Sequence, residues 1–153
     1  MRLFERQAGN VRRKALTYPY KALTLPTCDQ GKTLMQKCIL IYEDDLEILQ
    51  LCRTILAPSG YRIETLSHCD NIVADIEQLH PDAILMDLWI PEIGGEQAIA
   101  LLKERVGNRD IPVILFSAND EIEAISKRVQ AKGFLKKPFD IATLKEMVAF
   151  ALS

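Results

Sequence analysis

The stretch CILIYEDDLEILQLCRTILAPSG, residues 38–60, decides the architecture. Its first five residues, Cys38 to Tyr42, form an uninterrupted apolar run, which suits a strand covered on both faces rather than one with a wet side. Asp45 then opens a helical pattern through Leu46, Leu49, Ile55 and Leu56, and Pro58 with Gly60 stops it. A buried strand followed at once by an amphipathic helix is the repeating unit of an α/β layer protein.

The unit recurs along the chain. Strands are expected near Tyr61–Leu66, Ala83–Met86, Val113–Phe116 and Phe134–Leu135. Helices are expected near Asp70–Leu79, Gly95–Val106, Asp120–Gln130 and Asp140–Leu152. Five strand–helix pairs predict a three-layer sandwich with a doubly wound, five-stranded parallel sheet, and right-handed crossovers make the flavodoxin-like order 2-1-3-4-5 the simplest solution. Its switch point falls between the first and third strands, where ligands gather beyond the carboxyl ends.

Polar residues stand at those ends. Glu43 and Asp44 follow the first strand, Asp87 the third, Ser117 the fourth, and Lys137 with Pro138 the fifth. Crowded carboxylates raise one another's pKa unless a cation sits among them, so the acidic group predicts a hard divalent ion such as Mg²⁺. Lys137 adds a compact positive charge, and Pro138 makes the Lys137–Pro138 bond a candidate cis peptide. A metal, a hydroxyl and an ammonium facing one carboxylate is what a phosphoryl group on Asp87 would require. Any one of these residues alone would more simply be a helix cap or turn residue; the weight comes from their corresponding positions.

Taken together, ILIYEDDLEIL at 39–49, DAILMDLWIPEIGG at 82–95, VILFSAN at 113–119 and GFLKKPF at 133–139 resemble the receiver domain of two-component response regulators, over residues 36–152. The resemblance implies that Asp87 accepts a phosphoryl group from a partner phosphohistidine. It implies that Glu43, Asp44, Asp87 and the Trp89 backbone carbonyl hold Mg²⁺, while Asp45 starts a helix. Ser117 and Lys137 match the residues that stabilise the phosphoryl group, and Ser117 with Phe134 match the family's switch pair. Phe134 lacks the hydroxyl of a tyrosine, so only inward packing is open to it. Trp89 and Asn119 match positions that tune the lifetime of the acyl phosphate.

The resemblance further implies a sensor histidine kinase or histidine phosphotransfer protein upstream and an unknown protein downstream. The expected role is a phosphoacceptor switch, not an enzyme acting on an external substrate. With Ser153 directly after the last helix, the sequence reads as a stand-alone receiver of the chemotaxis regulator class. A Mg²⁺-dependent phosphatase on a related scaffold is disfavoured, because Trp89 occupies the place where such enzymes carry a second acid. A phosphorylation-independent pseudo-receiver that binds its partner constitutively is the alternative.

Composition sets the remaining bounds. The 153 residues, 48% of them hydrophobic and 26% charged, fit one globular domain. Charged residues interrupt every apolar run, so no membrane span is expected. Cys28, Cys38, Cys52 and Cys69 form no CxxC pair and read as reduced structural thiols in a cytoplasmic protein. Residues 1–34 hold seven Lys or Arg against Glu5 and Asp29, a net +5, which leaves −7 for residues 35–153 within the total of −2. That basic segment reads as a disordered extension, with the receiver at 35–153 and its working part beginning near Met35. An acidic folded part argues against nucleic-acid binding. His68 and His80 read as surface or capping residues, and Gly94-Gly95 as backbone freedom before a helix rather than a phosphate loop.

Overall fold

A computed structural model describes residues 36–105 and 110–153. The basic segment and the proposed start at Met35 lie outside the described residues, as does Val106 at the end of the third predicted helix.

Five strands, β1 (Cys38–Tyr42), β2 (Arg62–Leu66), β3 (Ala83–Met86), β4 (Val113–Ser117) and β5 (Gly133–Lys136), form one sheet in the order β2-β1-β3-β4-β5. Every pairing is parallel, with Ile39 opposite Ile63 and Ala83, Met86 opposite Leu115, and Ser117 opposite Lys136. Between them run α1 (Leu46–Leu56), α2 (Ile72–Leu79), α3 (Gly95–Arg105) and α4 (Ile122–Arg128), and α5 (Ile141–Ala151) follows β5. This is the expected sandwich, with its switch point between β1 and β3.

Alternation along the strands divides the core in two. Ile39, Ile41, Leu85, Ile114 and Phe116 face one side and pack with Leu49, Cys52 and Leu56 of α1 and Leu144 and Val148 of α5. Leu40, Tyr42, Ile84, Met86 and Leu115 face the other and pack with Ile72 and Ile76 of α2, Ile99 of α3 and Ile125 of α4. Both faces of β1, β3 and β4 are therefore dry, which is why these strands carry unbroken apolar runs. Cys38, Cys52 and Cys69 are buried free thiols, Cys52 in the first of these groups and Cys69 in the second.

Local chemistry trims the helices. Asp45 caps α1, its carboxylate accepting from the Glu47 and Ile48 amides at 2.8 and 3.3 Å. α2 starts at Ile72 rather than Asp70 because residues 69–72 close a turn, the Ile72 amide donating to the Cys69 carbonyl. α4 spans fewer residues than the expected 120–130. Asn119 builds a turn ahead of it by accepting the Glu121 amide at 2.8 Å. Beyond it, Gln130 takes a left-handed φ of 53° while the Ala131 amide reaches back to the Ser126 carbonyl. Asp140 caps α5 through the Thr143 amide at 2.8 Å. No helix among the described residues is long and apolar enough to cross a membrane.

Candidate functional site

The sheet ladder itself delivers the functional residues. One residue past the end of β1, the Glu43 amide donates to the Leu66 carbonyl at 3.0 Å, and one past β3 the Asp87 amide donates to the Tyr42 carbonyl at 3.0 Å. On the far side, the Lys137 amide donates to the Ser117 carbonyl at 2.9 Å. Each group therefore inherits its position from a strand held in register, with no loop flexibility in between.

Glu43 and Asp87 are buried, 1% and 4% exposed, and Asp44 is exposed beside them. Carboxylate oxygens of the three lie within 4.8 Å of one another. Lys137 reaches in from the β5 end: its Nζ donates to Glu43 Oε2 at 2.5 Å and to Asp87 Oδ2 at 2.8 Å. The free oxygen on each carboxylate takes a backbone N–H, Glu43 Oε1 from Asp45 and Asp87 Oδ1 from Trp89, both at 3.2 Å.

The electrostatics are unbalanced. Burial pushes the Glu43 carboxyl up to about 7, and the neighbouring Asp87 adds to this against the opposing pull of Lys137 and the Asp45 amide. Burial works against the Lys137 ammonium, yet its hydrogen bonds to Asp87 and Glu43 outweigh that and raise its pKa. The two directions agree on one point: a single ammonium is fully compensated, while the carboxylates are not. With all three carboxylates ionised, one ammonium leaves two negative charges, which one divalent cation would balance. An all-oxygen donor set of this kind suits a hard cation, so the residues present fit Mg²⁺.

The other sequence candidates take these places. Ser117 is fully buried, and its Oγ accepts the Asn119 amide at 3.4 Å. The Trp89 side chain is 68% exposed, in the loop after Asp87. Phe134 is half-buried against the α2/α3/α4 side of the core. The Lys137–Pro138 peptide is cis. His68 lies beside Ser67 and Asp70 in the loop after β2, and His80 closes α2 at a φ of 47°.

Two features escaped sequence reasoning. The first is the division of labour within Gly94-Gly95: Gly94 supplies a φ of +70°, but at Gly95 a Cβ would sit 2.0 Å from the Asp87 carbonyl oxygen. Gly95 is thus required by close approach, which sequence spacing does not show. The second is Phe116, expected only as the end of a strand, whose ring lies under the Lys137 ammonium with 4.7 Å from Nζ to the centroid. An aromatic residue directly before Ser117 was the available signal.

Comparison with known proteins agrees with this arrangement. The family model "Response regulator receiver domain" matches residues 39–149. The phosphate regulon transcriptional regulatory protein PhoB of Klebsiella pneumoniae is 32% identical over 117 residues, covering 75% of this chain and 50% of that protein. Protein PilG of Pseudomonas aeruginosa is 28% identical over 103 residues, covering 66% of this chain and 76% of its own length. The chain spans about half the length of the first curated relatives it matches. The structure of chemotaxis protein CheY4 of Vibrio cholerae aligns with a TM-score of 0.70 at 24% identity, over 76% of this chain and 99% of that one, a likeness of fold. With the match running from β1 into α5, the chain belongs to the receiver domains of response regulators, modules of phosphorylation-based signalling.

Proposed function

We propose that this receiver takes a phosphoryl group on Asp87 from a phosphohistidine on a sensor histidine kinase or histidine phosphotransfer protein and signals through a change in its protein-binding surface. The observation that carries the reading is Lys137 Nζ on Asp87 Oδ2 at 2.8 Å, within a group of three clustered carboxylates.

In the transfer, an Asp87 carboxylate oxygen forms the new P–O bond as the P–N bond to the donor imidazole breaks, and the imidazole leaves with that electron pair. Lys137 donates to Asp87 before transfer and offers an N–H to the phosphoryl oxygens after it. The Trp89 amide fixes one Asp87 oxygen, which orients the other. Glu43, Asp44, Asp87 and the Trp89 carbonyl would hold Mg²⁺, which supplies charge neutralisation to the reacting phosphoryl group.

The new anion gives the Ser117 hydroxyl a charged acceptor for its O–H, where its Oγ now accepts from the Asn119 amide. As Ser117 turns toward it, Phe134 packs inward, and the surface of α4, β5 and α5 changes. Asn119 and the bulky Trp89 govern how readily water reaches the acyl phosphate. The chain acts as a phosphoacceptor switch with no external substrate to turn over. Its acidic folded part, −7 over residues 35–153, favours a protein output over nucleic acid. The match to PilG, three quarters of whose length is covered, supports a receiver that is itself the signalling unit.

The test is intact mass after incubation with acetyl phosphate and Mg²⁺, with Asp87→Ala and a chelated sample alongside. One added phosphoryl group, lost in both controls, is the expected result. No gain by the unaltered chain would favour the pseudo-receiver that binds its partner without phosphorylation.

A further inference from the structure

The ammonium at the centre of the site has an aromatic partner besides its two carboxylates. Lys137 is a long, flexible side chain with only 15% of its surface exposed. An ammonium carries three N–H donors. Glu43 and Asp87 take two of them. The Phe116 ring stands on a further side, its centroid 4.7 Å from Nζ. Phe116 is fully buried, and Phe139 packs edge-on to it at 6.2 Å and 63°, so the ring is fixed from both strand and neighbour.

We propose that Phe116 is a positioning residue for phosphoryl transfer: its ring face holds the Lys137 ammonium over Asp87. The inference rests on Asp87 being the phosphoacceptor. A ring face attracts a cation without demanding one N–H direction, and the attraction is strongest where water is excluded. A carboxylate partner, by contrast, draws the ammonium toward itself. With Phe116 beneath it, Nζ can exchange its Asp87 oxygen for a phosphoryl oxygen while staying at one height above the sheet. A leucine at 116 would fill much of the same core volume and leave the four-carbon lysine stem free to follow Glu43. The Phe116 ring touches no reacting atom; it acts through Lys137.

The experiment separates the ring's charge distribution from its shape. Phenylalanine at position 116 of the full chain is replaced by 4-fluoro- and 3,4,5-trifluorophenylalanine, which drain the negative ring face with little change in volume. Three quantities are measured: the rate of phosphoryl uptake on Asp87 from acetyl phosphate at saturating Mg²⁺, the unfolding midpoint, and the NMR shift of the Lys137 ε-methylene without Mg²⁺ or donor. The proposal expects an upfield ring-current shift of that methylene in the unaltered chain, lost in Phe116→Leu. It expects uptake to fall stepwise, by about tenfold across the fluorinated series, with an unchanged midpoint. A flat rate across that series, with Phe116→Leu altering the midpoint alone, makes Phe116 a core residue and overturns the proposal. An unshifted methylene overturns it as well. If the unaltered chain takes up no phosphoryl group, the reading of Asp87 fails first and the positioning role falls with it, whereas uptake with a flat series removes the positioning role alone.

Discussion

Replacing Lys137 by Met should turn the centre of the site from compensated to frustrated. Among the described residues Lys137 is the one cation bonded to Glu43 and Asp87, which are 1% and 4% exposed. Methionine keeps the stem's length and apolar character and removes the charge, leaving each carboxylate with one backbone N–H at 3.2 Å. Removing one partner of a buried ion pair costs about 3–5 kcal/mol, a large share of the ~5–15 kcal/mol that holds a typical domain folded. The sign of the pH dependence follows from Glu43. Burial already lifts its carboxyl to about 7 from the ordinary 4.5, and Lys137 is the main influence pulling it down, so the variant's value rises further. With the folded-state pKa above the unfolded one, the penalty for burying the charge is full above the folded value and absent below about 4.5. The stability gap to the parent chain should therefore open as pH rises above about 7, grow towards about 3–5 kcal/mol in alkaline solution, and fall by at least half near pH 5. Urea unfolding in EDTA, followed by far-ultraviolet circular dichroism, measures it; the single tryptophan is too exposed to report. Mg²⁺ should restore stability to the variant at pH 8 more than to the parent. A loss under about 1 kcal/mol at pH 8, or an equal loss at pH 5, would refute the argument that this ammonium compensates buried charge.

Three further outcomes are expected. Gly95→Ala should destabilise by at least about 2 kcal/mol in thermal or urea unfolding, although alanine ordinarily favours a helix over glycine by about 1 kcal/mol, because its Cβ meets the Asp87 carbonyl oxygen at 2.0 Å. Tyr42→Phe removes the hydroxyl that donates to Asp75 Oδ2 at 2.9 Å and should cost about 1–2 kcal/mol at neutral pH. Burial holds the Asp75 carboxyl above its usual range and the Tyr42 bond lowers it, so that cost should shrink in acid, as a pH series of unfolding curves would show. Trp89→Ala, at a side chain 68% exposed, should leave stability within about 0.5 kcal/mol and shorten the half-life of phosphorylated Asp87; an unchanged half-life removes the shielding role.

Much of this molecule is legible in one dimension because its information is periodic. CILIY, AILM and VILFS are apolar without a break, and only a strand covered on both faces needs that pattern. Once five such units are counted, parallel pairing and right-handed crossover leave few orders, so Glu43, Asp87, Ser117 and Lys137 are brought to one edge by topology before any distance is known. The helix ends were less legible. The turn at 69–72 is closed backbone to backbone and the one ahead of α4 by the Asn119 side chain, choices open to such residues in many contexts, among which the surrounding packing selects.

Element order, sheet order and the identity of the charged groups at the strand ends all follow from local period and chain connectivity. Which partners those groups have is set by packing in three dimensions. That Lys137 shares one ammonium between Glu43 and Asp87, that Gly95 lies against the Asp87 carbonyl, and that Phe116 stands under Lys137 are matters of ångströms between residues distant in the chain. Charge compensation and close approach fall off over a few ångströms, and no spacing along a sequence encodes a distance that fine.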